Sequence, residues 1–135
     1  VEHVISCRGI VNLHRVCHVD GCKANVDLED PSAPATISAA ALARTCPGCV
    51  EVLDMFVEAY GAQAGNLALR SVATGGVFIG GGIAPKILPA LSNGTFLSAF
   101  CAKAPLEDLL RSIPVKIVLN EEAGLIGAAV RANSF

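Results

Sequence analysis

Apolar residues recur at helical spacing through the middle of the chain, at Val50, Leu53, Phe56 or Val57, Tyr60, Ala64 and Leu67. Glu51, Asp54 and Glu58 fall on the opposite side, which reads as a solvated face. This pattern predicts one long helix from about Cys46 to Val72, and Gly61, Ala62, Ala64 and Gly65 give its second half a small-residue surface suited to close packing against a sheet. A shorter helical stripe, Ile10, Leu13, His14 and Cys17, follows a possible short strand ending at Val4 and Ile5. Strict alternation appears at Val115, Ile117 and Leu119, with Lys116 on the other face, and predicts a strand over 115–119. Val77, Phe78 and Ile79, bounded by glycines, read as a second, buried strand. Helices are further predicted from about Thr36, over 96–102 and 106–111 with Pro105 between them, and from Ala123 onward. In that last helix Gly124 and Gly127 share a face, which predicts tight packing against the sheet or beside the glycine turn. Residues 18–35, with Asp20-Gly21, Pro31 and Pro34, read as an exposed, mobile loop. The result is one α/β domain over 1–135, a short central sheet packed by several helices.

Gly80, Gly81 and Gly82 leave the Val77–Ile79 strand, and Pro85 fits the first turn of a following helix. Residues without a Cβ let backbone approach a ligand closely and allow positive φ. In open α/β folds ligands gather at the carboxyl ends of strands, so this turn is the first candidate site. It is neither a P-loop, because Lys86 follows Pro85 rather than glycine, nor a dinucleotide fingerprint, because the sixth position from Gly80 is Pro85. From its residues alone it is equally a packing turn and a ligand cradle.

Composition narrows the partners. Hydrophobic residues make up 53% and charged ones 16%, which suits a buried sheet or a surface covered by something else, further chain or another subunit. A net charge of −2 provides no basic stripe, so nucleic acid and an anionic membrane are not expected. Glu2, His3 and Arg8 interrupt any signal-like apolar start, and a cytoplasmic location is expected. The first residue, Val1, raises the expectation of missing upstream sequence.

Six cysteines add candidate chemistry. Cys46-Pro47-Gly48-Cys49 stands at a helix start with Thr45 as N-cap, a position that lowers a thiol pKa and supports a redox reading. A thioredoxin-type site follows a strand, whereas residues 38–44 read as helix, so redox is the lesser alternative. His14, Cys17, His18 and Cys22 form a possible zinc set. They lack a second paired cluster at finger-like spacing, so a helix running into a loop accounts for them and no metal is expected on this chain.

Several motifs in order carry a family resemblance. Glu2-His3-Val4-Ile5-Ser6 with Gly9-Ile10-Val11-Asn12-Leu13, Gly65-Asn66-Leu67-Ala68-Leu69, Gly75 to Ile83, and Gly124-Leu125-Ile126-Gly127 resemble the carboxy-terminal portion of bacterial-type glucokinases. That resemblance implies part of an actin-like ATPase (ribonuclease H-like) fold, on its nucleotide side. It implies ATP-dependent phosphorylation of glucose at the 6-hydroxyl, with ATP and Mg as cofactors of the parent protein, glucose and ATP/ADP as ligands, and a homo-oligomer as a possible state. Glu2 matches the glutamate that binds sugar hydroxyls, and Gly80, Gly81 and Gly82 match the adenosine motif. The chain departs from the family's Ser-Gly-Pro-Gly at Ser6-Cys7-Arg8-Gly9. The family's phosphate loops, catalytic aspartate and Glu-Gly-Gly-His motif lie upstream of the residue matching Glu2. No catalytic residue is therefore assigned, and Asp20, Asp27, Asp30, Asp54 and Asp108 are not taken as the base. The isolated chain is expected to be inactive. A truncated paralogue serving nucleotide binding or subunit contact is the alternative.

Overall fold

A computed structural model describes residues 1–18 and 21–134; Asp20, considered above, lies outside the described residues. Helix α1 spans Cys7–Cys17, α2 Ala33–Leu42, α3 Pro47–Ser71, α4 Leu88–Leu91, α5 Thr95–Cys101, α6 Glu107–Ser112 and α7 Ala123–Ala132. Strands β1, Val77–Ile79, and β2, Val115–Ile117, pair in parallel with Phe78 opposite Lys116. The crossover between them carries a 3-10 turn, Ala84–Ile87, and α4 to α6.

The expected strand at Val4 and Ile5 is a turn instead: both amide N–H groups donate to the Val1 carbonyl, at 2.9 and 2.8 Å. The chain then enters α1 at once, because the Ser6 hydroxyl accepts from the Gly9 N–H at 2.9 Å and caps the helix. Gly9 is needed there, since a Cβ would run into the backbone of Val4. Residues 22–28 also differ from expectation. Cys22, Ala24, Val26 and Leu28 are half-buried and pack against the core, while the residues between them are exposed. α2 begins at Ala33, with Pro34 in its first turn, so the loop is shorter than expected.

α3 is the axis of the core. Cys49, Val52, Leu53, Phe56, Val57, Ala64 and Ala68 are buried along it, and Glu51, Asp54 and Glu58 face solvent as the periodicity required. Leu67, assigned inward by spacing, is exposed. The small-residue surface receives another helix rather than the sheet. Gly61 lies under the Phe96 carbonyl and Gly65 under that of Phe100, so α5 sits where side chains on α3 would hold it away. Tyr60 meets Phe56 and Phe96 edge-on at 5.8 and 5.7 Å between ring centroids, and Phe100 is fully buried beside Phe96.

The carboxy-terminal end departs furthest from expectation. Leu119 is exposed beyond the end of β2, and no residue of α7 is buried. No described residue lies within 4 Å of where a Cβ on Gly124 or Gly127 would be, so that face neither grips the sheet nor reaches the glycine turn. A glycine pair permits close packing but brings no partner of its own.

Candidate functional site

The glycine turn stands where the strand signal placed it, directly after β1. Gly80, Gly81 and Gly82 are exposed, Gly81 has φ +101°, and open space surrounds each at the Cβ position. A packing turn would set these glycines against neighbouring backbone, as at Gly61 and Gly65; this one presents bare peptide to solvent. Beside it runs a groove of about 530 Å³, walled by Cys7 and Ile10 of α1, Ala35 and Ser38 of α2, and Gly82, Ile83 and Lys86. Its size lies within the range of small-molecule sites, and its wall is mostly apolar. Lys86 is exposed on the 3-10 turn and puts the groove's one cationic side chain at its edge. No carboxylate lines it among the described residues. A larger hollow of about 750 Å³ between α5, α6 and β2 contains none of the residues marked by motifs.

Glu2 is exposed in the turn before α1, and its backbone carbonyl accepts from the Ser6 hydroxyl at 2.6 Å. The same segment leads into Cys7 at the groove. Of the four residues at the departure from the family pattern, Ser6 makes the cap and Gly9 the close contact, while Cys7 and Arg8 are exposed.

On the far side of α1 the structure joins two groups that the sequence presents separately. Cys46, the actual N-cap residue of α3, and Cys49 are buried, and Cys22 reaches both, with its sulfur 3.8 Å from Cys46 Sγ and 3.7 Å from Cys49 Sγ. His18 Nε2 lies 3.4 Å from Cys46 Sγ. That hydrogen bond pulls the Cys46 thiol down to about 6, whereas burial pushes Cys49 up. Thr45, expected as the cap, turns back instead, its hydroxyl donating to the Ala40 carbonyl. Cys17 stands apart, 3.6 Å from Met55 Sδ. Sequence spacing could not show this assembly because the groups meet only when α1 packs on the start of α3. The signal that pointed to it was Gly48: a Cβ there would collide with the His18 ring, so the Cys-Pro-Gly-Cys glycine keeps a seat for the imidazole.

The comparisons with known proteins agree along the chain. The glucokinase family model matches residues 1–135. A glucokinase of Mesorhizobium japonicum is 43% identical over 134 residues, which are 98% of this chain and 38% of that protein. One from Synechocystis is 48% identical over 98 residues, 73% of this chain and 28% of that protein. The crystal structure of a glucokinase from an Antarctic psychrotroph superposes with a TM-score of 0.79 at 31% identity, covering 99% of this chain and 40% of that one. The chain therefore spans less than half the length of the relatives it matches. A family match over the whole of residues 1–135, together with these relatives, makes the chain a member of the glucokinase family.

Proposed function

We propose that this chain is the carboxy-terminal, nucleotide-side portion of an ATP-dependent kinase that phosphorylates glucose at its 6-hydroxyl. The observation that carries the reading is the match to glucokinases over the whole of this chain and only about two fifths of theirs. Gly80, Gly81 and Gly82 line the adenosine side of the cleft. Their open, Cβ-free backbone and the neighbouring apolar groove suit a flat base and a ribose, and Lys86 provides a positive edge. Glu2 serves the sugar, since a carboxylate accepts from two adjacent hydroxyl donors. Mg2+ accompanies the phosphates and is held by residues outside this chain, consistent with a groove whose described lining lacks carboxylates. Phosphoryl transfer also needs phosphate loops and a group that orients the attacking hydroxyl. The chain matches neither, so by itself it binds nucleotide weakly and catalyses nothing.

Two measurements test this. The complete polypeptide containing this chain should form glucose 6-phosphate from glucose and ATP; absence of that activity in a folded, full-length protein would overturn the kinase reading in favour of a non-catalytic paralogue. Calorimetric titration of the 135-residue chain should show weak ADP binding and no glucose binding. Tight glucose binding by the chain alone would refute the assignment of the sugar site to two halves. The retained Ser6 cap and Gly9 contact count against the paralogue, because the turn that carries Glu2 keeps its two structural requirements.

A further inference from the structure

The cysteine and histidine assembly at the end of α1 is absorbed by nothing in the kinase reading, and three of its ring nitrogens find no partner among the described residues. His14 is only 3% exposed, yet among the described residues both its ring nitrogens are buried without a hydrogen-bond partner, and so is His18 Nδ1. Leaving such a group buried and unpaired is destabilising. One donor atom from each of His14, His18, Cys22 and Cys49 lies within 4.8 Å of all the others. Cys46 adds a fifth donor through its contacts with His18 and Cys22.

The spacing has a chemical meaning. Thiolates bound to a tetrahedral Zn2+ at about 2.3 Å stand about 3.8 Å apart, and a thiolate and an imidazole nitrogen slightly closer. Cys22 to Cys46 at 3.8 Å, Cys22 to Cys49 at 3.7 Å and His18 to Cys46 at 3.4 Å already have those edge lengths. The donors also come from a rigid frame. Cys46 and Cys49 flank the first turn of α3, His18 follows the end of α1, and Gly48 leaves the space that the His18 ring fills.

We propose that Cys22, Cys46, Cys49 and His18 bind one soft divalent cation of the Zn2+ class, tying the end of α1 and the loop after it to the start of α3. His14 is the positioning residue. Its ring stacks on His18 with centroids 3.9 Å apart and planes 16° from parallel. An imidazole lone pair lies in the ring plane, so one ion cannot lie in both of two stacked planes, and the ring in contact with Cys46 is that of His18. Binding requires three thiolates, so whichever thiol protons remain leave to solvent as the cation enters. Three soft sulfurs and one nitrogen favour Zn2+ over Mg2+ or Ca2+, which take oxygen ligands. Four protein ligands close the coordination sphere, which makes the site structural.

The test is elemental analysis of the complete polypeptide, purified under a non-chelating reductant and without a histidine tag, followed by replacement of the metal with Co2+. One zinc per chain is expected. The Co2+ form should show the visible bands of a tetrahedral ion together with thiolate-to-cobalt charge transfer. Cys49→Ser and His18→Phe should weaken Co2+ binding by more than the ~10–100-fold that a change outside the ligand shell costs, while His14→Phe, which keeps a stacking ring, stays within that range. Gly48→Ala, which removes no ligand, should also weaken binding by pushing the imidazole off its seat. If a variant fails to fold, the native protein's Co2+ spectrum still decides. A fully reduced native protein without stoichiometric metal and without the charge-transfer band would overturn the proposal, as would a Cys46–Cys49 disulfide that forms with no effect on metal content.

Discussion

The helical layer formed by α1, α2, α3 and α5 and the strand region formed by β1, β2 and α7 obey different rules. In the first, large side chains are buried to completion: Phe56, Phe100, Ile37 and Val52 have almost no exposure, and two glycines on α3 are spent on bringing α5 into contact. In the second, Phe78 is 65% exposed in the middle of β1, and Leu125, Ile126 and Val130 all face outward from α7. Apolar residues are no scarcer in the second region than in the first. What separates them is whether a second surface is present to meet them. The first region supplies its own partner, while the second shows an apolar face of the kind that proteins usually cover. Set beside relatives more than twice as long, this contrast fits a cut through a larger α/β domain, leaving one packed helical layer whole and a sheet open.

The largest effects are expected where the helical layer is tightest. Phe100→Ala should cost about 3–5 kcal/mol, since the side chain is fully buried and leaves a cavity that the helices cannot close. Urea denaturation of the chain would read this as a lower midpoint at unchanged slope. Gly61→Val comes next, at about 1–3 kcal/mol, because the Cβ meets the Phe96 carbonyl and backbone gives way less readily than a side-chain tip. If either change were as mild as one on the sheet, the two regions would not differ in packing.

The same contrast explains what could be read from the sequence. α3 was legible because a long helix with one buried stripe leaves its period in the residues, and β1 and β2 because short apolar runs were framed by glycine or proline. The partner of an apolar surface is not written in that period. Gly61 and Gly65 therefore promised close packing correctly but were assigned to a sheet, and Gly124 and Gly127 promised it where no described partner exists. The glycine turn was legible as a place, whereas its open surroundings were not, because they depend on what the rest of the chain leaves uncovered. Cys22, Cys46 and Cys49 were legible only as fragments, since no local spacing states that two distant segments will meet.

A smaller effect follows from Tyr60, the chain's one tyrosine, which stands at the join between α3 and α5. Burial raises its pKa above the usual value of about 10 by disfavouring the phenolate. The native state therefore binds the phenolic proton more tightly than the unfolded state does. The resulting stability is fully present below the unfolded pKa and is lost as pH rises through and beyond it. Ultraviolet titration should give a midpoint above about 10 in the native chain, returning to about 10 in urea. A native midpoint at or below the urea value would mean that the α3 and α5 contact is wetter than its packing indicates.

The smallest effects belong to the open region, and they define the contrast most sharply. Phe78 gains little from burial, and its clearest interaction is with Lys116, whose Nζ lies 5.7 Å from the ring centre across the parallel pair. At an exposed site such a contact contributes about 0.5–1 kcal/mol, so Phe78→Leu in this chain should cost no more than that. Ile126→Asp on α7 should change stability by less than about 0.5 kcal/mol, because about half of its surface is exposed and no residue of α7 is buried. Both substitutions should be repeated in the complete polypeptide. If the rest of the complete polypeptide covers this face, the Ile126→Asp cost rises to several kcal/mol, as an unpaired charge is then buried. Equal and negligible costs in both contexts would mean that the open face stays open in the complete polypeptide, and that the contrast between the two regions belongs to the fold itself.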